Sequence, residues 1–344
     1  MRIRVVFLSC AVAVALPLLG LMFGSSKAVG PTAIKLSLDG RIEGPSAPWT
    51  IAVDDGLFRE ENLEVSIEPA ASGAEAITRV AAGTFEVGTT DINALIRYRD
   101  ANPAAPVKAV FIVHNKPAYA IIGRKSREVS TPGDLEEKRL GAPVIDPSTA
   151  QWPIFAKLNS VDAAKVTVVP VGVPVREPML AAGEIDAFTG SSFSSPINLR
   201  EKGVPADDIT VLPMADYGLE LYGSAVIVNS KFAAEKPEAV KAFLRAYVQG
   251  LRTTSQDVPR AINSVLRRNT GLNRELEQER LSLALRDNVL TPEVRLSGLG
   301  GIDAGRFQRS IDQIALTFSF KNKAKAIETF DSAFLPEEDV RRFD

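Results

Sequence analysis

The chain has 344 residues, 45% of them hydrophobic and 24% charged, a globular composition long enough for two cores. Its formal charge is −2 and its longest basic blocks are pairs such as Arg267-Arg268 and Arg341-Arg342, so nucleic-acid binding is unsupported. One cysteine, Cys10, and one histidine, His114, exclude a disulfide framework and a thiolate or imidazole metal cluster.

The first segment reads as a leader. Arg2 and Arg4 precede an apolar run over residues 5–23, broken by Pro17 and Gly20, and Ser26-Lys27-Ala28 resembles a small-x-small cleavage site. Residues 1–28 are therefore expected to be a signal peptide, cut near Ala28, that exports the protein to the periplasm. The alternative is an uncleaved anchor, since the run approaches spanning length. Lipid attachment is disfavoured, because Phe7-Leu8-Ser9 before Cys10 is a poor lipid box and lies close to the start. Cleavage would remove Cys10 and move the formal charge to −5, with 37 basic residues facing 42 acidic ones.

Residues 34–38 alternate as a strand and stop at Asp39-Gly40, where a Gly- and Pro-rich loop begins. Pro48-Trp49 opens a helix through Asp54, closed at Gly56. A strand at 65–69 leads through Ser72-Gly73 into a helix ending at Gly83. Residues 87–89 form the next strand, and Asp91 caps a helix through Arg99. The apolar runs 107–113 and 119–123 read as buried strands. Thr131-Pro132-Gly133-Asp134-Leu135 starts a helix, 140–145 a strand, and Asp146-Pro147-Ser148-Thr149 turns into another helix. Residues 165–169 and 187–188 are further strands, and 221–228 is a strand that returns the chain to its first half. Helices then dominate: one from Pro237 buries Val240, Phe243, Leu244, Tyr247, Val248 and Leu251 at helical spacing, and one from Asp303 buries Phe307, Ile311, Ile314 and Phe318.

One stretch occurs twice. Ala81-Ala82-Gly83-Thr84-Phe85-Glu86-Val87-Gly88-Thr89 matches Ala181-Ala182-Gly183-Glu184-Ile185-Asp186-Ala187-Phe188-Thr189, one hundred residues on. Each copy reads as a helix end, a glycine stop and a short strand finishing on a hydroxyl, so a β-loop-α-β unit is duplicated. Alternating strands and helices predict largely parallel sheets with right-handed crossovers. Ligands of such sheets sit beyond the carboxyl ends of strands. That rule selects the loops 39–49, 71–73, 89–91, 114–116, 146–152 and 189–193.

The ordered motifs resemble the periplasmic solute-binding proteins of bacterial ABC importers, in particular the nitrate/sulfonate/taurine group, which includes binders of thiamine-pyrimidine precursors. Trp49 to Phe58 resembles that group's first helix and its Gly-x-Phe ending, and Ala71-Ser72-Gly73 its small-residue loop. Residues 83–88 resemble its Gly-x-x-Asp-Val-Gly element with Glu86 for Asp. Residues 134–141 resemble Asp-Leu-x-Gly-Lys-x-Val-Gly with Glu137 for Gly, and 183–187 the second Gly-x-x-Asp-Ala. The resemblance covers about residues 34–320. It implies an α/β, two-lobe, type II-like periplasmic-binding-protein fold, each lobe a mostly parallel sheet flanked by helices with the ligand cleft between. Lobe 1 is expected to comprise 31–115 plus 222–344, and lobe 2 116–221. It also implies a monomer that holds a small-molecule ligand by hinge closure and docks on an ABC permease in the inner membrane.

Candidate ligand contacts follow from the loops. Trp49, Trp152 and Phe193 could stack on a flat ligand, or cover helix starts. Ser72, Gly73, Ser148 and Thr149 precede helices and could donate to a sulfonate or carboxylate, or merely cap them; Thr89, Thr90 and Thr189 share this choice. Asp39 could accept from an amine or ring N–H, and Arg41 could neutralise an anion, unless both are solvated loop charges. Asp216 and Tyr217 flank a cleft segment, Tyr222 could line the hinge, and His114 ends a buried strand beside the first crossing, where a structural role is the alternative. No cofactor or metal is expected. An enzyme is not expected either: Gly-x-Ser-x-Gly is absent, and the eukaryotic thiamine-pyrimidine synthase of this fold uses pyridoxal phosphate and a cysteine-rich motif. A ligand-sensing module for a membrane receptor remains an alternative to transport.

Overall fold

Among the described residues, apolar alternation and turn chemistry place ten strands: β1 (Thr32–Leu38), β2 (Leu63–Pro69), β3 (Val87–Asp91), β4 (Val107–Ile112), β5 (Tyr119–Arg124), β6 (Arg139–Ala142), β7 (Thr167–Pro170), β8 (Ala187–Ser191), β9 (Ile209–Pro213) and β10 (Ser224–Asn229). The computed structural model describes Met1 and residues 30–323 and 328–343. Apart from Met1, the leader expected over residues 1–28 lies outside the described residues. Among the described residues no helix is long and apolar enough to cross a membrane.

The helices include α1 (Ala47–Asp54), α2 (Leu57–Glu60), α3 (Gly73–Ala81), α4 (Ile92–Ala101), α5 (Pro147–Leu158), α6 (Arg176–Ala182), α7 (Ser195–Glu201), α8 (Ser230–Glu235), α9 (Pro237–Gln256), α10 (Val258–Leu266), α11 (Arg274–Ala284), α12 (Pro292–Ser297) and α13 (Ala304–Ala315). The segment expected to start a helix at Thr131 is a single 3₁₀ turn, Pro132–Leu135. The strand expected over 140–145 stops at Ala142, because Pro143 has no N–H for the ladder; Val144 and Ile145 stand exposed instead.

Two five-stranded sheets result, ordered β2-β1-β3-β10-β4 and β7-β6-β8-β5-β9. Four strands of each run one way, and β10 and β5 are reversed. The reversal follows from connectivity. The chain leaves β4 at its carboxyl end and enters the second sheet at the carboxyl edge of its parallel strands, so β5 must run backwards. It leaves β9 in the same way and returns through β10. Both crossings, 113–118 and 214–223, thus join the carboxyl edges of the sheets.

The duplicated stretch has one structural meaning in both places. Gly83 (φ 73°) and Gly183 (φ 75°) terminate α3 and α6 in the left-handed region that favours glycine. The acid three residues later binds a backbone N–H of the neighbouring strand: Glu86 Oε2 accepts from Lys35 N at 2.7 Å, and Asp186 Oδ2 from Arg139 N at 2.9 Å. β1 meets β3 first at Leu36, and β6 meets β8 first at Leu140, so each carboxylate caps the N–H just before pairing begins.

Outside the sheets, the apolar stripe of α9 packs on α1 and β1, with Phe243, Tyr247 and Leu251 fully enclosed. A second cluster joins Ile92 and Ile96 to Ile121, Leu140 and Phe155, and to Phe307, Ile311 and Ile314 of α13. Apolar packing therefore continues from one sheet to the other beside the crossings.

Candidate ligand cleft

Opposed carboxyl edges bring the loops singled out above to one side of each sheet. In the first, Asp39 follows the last residue of β1. Thr89, in the middle of β3, donates its hydroxyl to Asp39 Oδ1 at 2.9 Å and accepts the Asp39 N–H at 3.0 Å, so the strand runs past the threonine on which it was expected to finish. Ser224 Oγ reaches Asp39 Oδ2 at 3.4 Å. Loss of water around the recessed carboxylate raises its pKa despite these bonds, although part of the residue stays accessible. Among the described residues its hydrogen-bond partners are hydroxyls and backbone, and none is a cation. Thr90 Oγ1 donates to Gly73 O at 3.2 Å, and a Cβ on Gly73 would lie 2.7 Å from that hydroxyl, so only glycine fits. Ser72 Oγ accepts Glu75 N–H and caps α3.

The second sheet repeats the arrangement with different groups. Thr189 in the middle of β8 bonds Thr149 hydroxyl to hydroxyl at 2.6 Å, where Thr89 bonds a carboxylate. Ser148 Oγ donates to Gly190 O at 2.9 Å, and Asp146 caps α5 by accepting Ser148 N–H at 2.8 Å. Buried Arg176 donates to Asp146, to Glu177 Oε1 at 3.1 Å and to Thr189 O at 3.2 Å. Phe193, after β8, meets the imidazole of His114 edge-on at 6.2 Å. Burial lowers the His114 pKa to about 4, so the ring is neutral at physiological pH.

A third polar group spans the crossings. Tyr119 of β5 donates its phenol to Asp91 of β3, and Asn93 Nδ2 donates to Tyr119 Oη at 2.9 Å and Tyr222 O at 2.8 Å. Arg97 reaches Gln151 Oε1 of α5 at 3.1 Å. Burial raises the Asp91 pKa to about 6 against the opposing hydrogen bonds. Asn93 Oδ1 and Gln151 Nε2 are buried with no partner. In the sequence Asp91 stands out only as a helix cap, and Asn93, Arg97, Tyr119 and Gln151 do not stand out as candidates. Polar residues inside apolar runs, as Asn93 lies between Ile92 and Ala94, are the signal that was available.

Several candidates lie elsewhere. Arg41 is exposed and pairs with Glu43 at 2.9 Å, because its loop turns outward. Trp49 is 4% exposed and stacks on Tyr247 at 3.7 Å, inside the α1–α9 core. Trp152 lies in the shared apolar cluster beside Phe155, whose other side meets Tyr217 edge-on at 5.9 Å. Asp216 pairs with Lys116 at 2.5 Å. Tyr222 is enclosed: its phenol oxygen accepts Asp303 N–H at 2.8 Å and the Arg306 guanidinium lies 4.0 Å above its ring. These six aromatic and charged side chains, Arg41, Trp49, Trp152, Asp216, Tyr217 and Tyr222, are occupied by packing or pairing within the protein.

A family model described as NMT1/THI5 like matches residues 45–260. A formylaminopyrimidine-binding protein of Halalkalibacterium halodurans is 25% identical over 268 residues, covering 76% of this chain and 78% of its own. A 4-amino-5-hydroxymethyl-2-methylpyrimidine phosphate synthase of Schizosaccharomyces pombe is 24% identical over 208 residues, 58% of this chain and 59% of that one. The crystal structure of the periplasmic aliphatic sulphonate-binding protein SsuA from Escherichia coli superimposes with a TM-score of 0.68 at 14% identity, covering 83% of this chain and 92% of that chain. This last likeness shows the periplasmic-binding-protein fold and nothing of the ligand.

Proposed function

Because this chain belongs to the NMT1/THI5 like family, we propose that it is the extracytoplasmic solute-binding component of an ABC importer. In this reading it takes a small flat nitrogen heterocycle bearing N–H donors, closes lobe 1 (31–115 plus 222–344) on lobe 2 (116–221), and delivers the solute to a permease. Export through the leader over residues 1–28 belongs to the same reading.

The observation that carries the choice of ligand is Asp39. A recessed carboxylate without a cationic partner repels a sulfonate or carboxylate, and it rewards a solute that brings an amine or ring N–H. Arg41, the basic residue nearest to it in sequence, is turned away and paired. Phe193 and neutral His114 supply aromatic surface for a ring. The formylaminopyrimidine-binding relative supports the same chemistry. A synthase has a relative behind it, but Cys10, the chain's one cysteine, falls in the expected leader, so this chain offers no cysteine-rich motif for that chemistry.

A thermal-shift and calorimetric comparison of aminopyrimidines with taurine and alkanesulfonates tests this. Stabilisation of roughly 2.7 kcal/mol is expected at a hundred times Kd for the heterocycle, and none for the anions. Binding of the sulfonate alone would overturn the choice.

A further inference from the structure

The two sheets are joined by more than the crossings. Helix α11, in the part of the chain that follows the first sheet, meets α7 of the second through two polar contacts. Arg280 Nη2 donates to Asn198 Oδ1 at 2.9 Å, and Arg200 Nη2 reaches both carboxylate oxygens of Glu279 at 2.5 Å. The first contact is embedded. Arg280 and Glu277 are both buried and paired, and Glu277 Oε2 accepts the Gly44 N–H at 2.5 Å. On the other side, Asn198 Nδ2 donates to Glu177 Oε1 at 3.4 Å, and Glu177 pairs with Arg176, which holds Asp146 and the Thr189 carbonyl.

These bonds form one unbroken polar chain. It starts in the loop that follows β1, which carries Asp39. It ends at Asp146, which caps α5 just before Ser148 and Thr149, and at the Thr189 carbonyl within β8. Between the two bodies it passes through a single hydrogen bond, Arg280 to Asn198. Beside that bond lies Arg200–Glu279, a surface ion pair of small intrinsic worth that salt screens. A charged donor on a neutral acceptor in a part-buried setting is the stronger of the two contacts.

We propose that Arg280–Asn198 and Arg200–Glu279 form a latch that holds the two bodies together before any solute arrives and slows release of a bound one. The first half concerns the ligand-free protein. The second rests on the solute-binding reading given above. Loss of the latch shifts the balance toward separated bodies, and a solute gripped by both is then released faster, by about tenfold.

The test is small-angle scattering of the ligand-free full chain. Asn198→Ala with Glu279→Gln should enlarge the radius of gyration. Reversing the outer pair, Arg200→Glu with Glu279→Arg, should restore the dimensions lost in Glu279→Gln, since both positions lie at the surface and their exchange leaves the core intact. Unchanged dimensions in the first variant, or a reversal that restores nothing, overturn the latch. Should Asn198→Ala fail to fold, Asn198→Ser with Glu279→Gln replaces it, since the shorter hydroxyl keeps a polar group but draws the acceptor away from Arg280. Stopped-flow release of a fluorescent aminopyrimidine gives the second readout. Enlarged dimensions with no aminopyrimidine bound leave the latch standing and overturn only the ligand assignment.

Discussion

Thr89 and Asp39 hold one another twice, hydroxyl to carboxylate at 2.9 Å and backbone N–H to hydroxyl at 3.0 Å. The threonine therefore orients the carboxylate while leaving Oδ2 with only a long contact, 3.4 Å, to Ser224. That oxygen is the one free to accept from a solute. Asp39→Asn exchanges an acceptor for a donor of nearly the same shape. Affinity for an aminopyrimidine should fall roughly tenfold to a hundredfold, the worth of a hydrogen bond to a charged group, with the melting temperature nearly unchanged. Calorimetric titration checks it, and an equal affinity would remove Asp39 from the cleft.

Asp91 and His114 pull stability in opposite directions with pH. Burial holds the folded Asp91 pKa at about 6, so the folded state binds this proton more tightly than the unfolded chain. Its stabilising effect is present below pH ~4 and lost as pH rises through about 6. Burial holds folded His114 at about 4, so folding favours the neutral ring and stability rises from about pH 4 to ~6.5. Each effect is on the order of 3 kcal/mol, and they nearly offset. Chemical denaturation across pH 4 to 7 should therefore give a shallow profile for the wild type. Asp91→Asn should make it climb with pH, and His114→Gln should make it fall. Parallel profiles in all three would show that neither group is buried as described.

Trp49 illustrates what the sequence hides. Pro48-Trp49 after a Gly-rich loop reads equally well as a ring offered to a ligand and as the first turn of a packed helix. The structure resolves it through Tyr247, two hundred residues away, whose ring lies 3.7 Å from the indole. Trp49→Ala should cost about 3–5 kcal/mol of stability while leaving solute affinity within twofold in the fraction that remains folded. Urea unfolding and titration together check it; a binding defect without a stability loss would return the indole to the cleft.

Local pattern carried far. The strands, the Gly83 and Gly183 stops and the largely parallel sheets follow from periodicity and turn chemistry, which act within a few residues. The hydroxyls of Thr89 and Thr189 were visible for the same reason, although they stand mid-strand, since β3 and β8 run two residues further, to Asp91 and Ser191. What could not be read is which loop side chains find partners elsewhere: Tyr222 on Asp303 and Arg306, Asp216 on Lys116, and the Asp91–Tyr119 bond across the crossings. Those depend on approach of segments 28 to 100 positions apart. A sequence states a side chain's chemistry but not its company.

The two acids of the duplicated stretch should differ in worth, although they sit at the same place. Glu86 gives one bond, to Lys35 N–H. Asp186 accepts from Arg139 N, Nε and Nη2 and also pairs with Arg127 at 3.2 Å, and those bonds hold its carboxyl below the usual range although desolvation opposes them. Replacing Glu86 by Gln keeps an acceptor for a strand N–H and should cost no more than about 1 kcal/mol. Replacing Asp186 by Ala strands two guanidinium groups beside a helix end and should cost about 2–3 kcal/mol. The pH dependence separates them further. With a depressed folded pKa, the contribution of Asp186 is complete above about pH 4 and is lost as pH falls below that value. Acid unfolding of the Asp186→Ala protein should thus converge on the wild type at low pH. A constant gap between the two, or a larger loss from Glu86→Gln, would mean that the second carboxylate does not bind the strand edge it caps here.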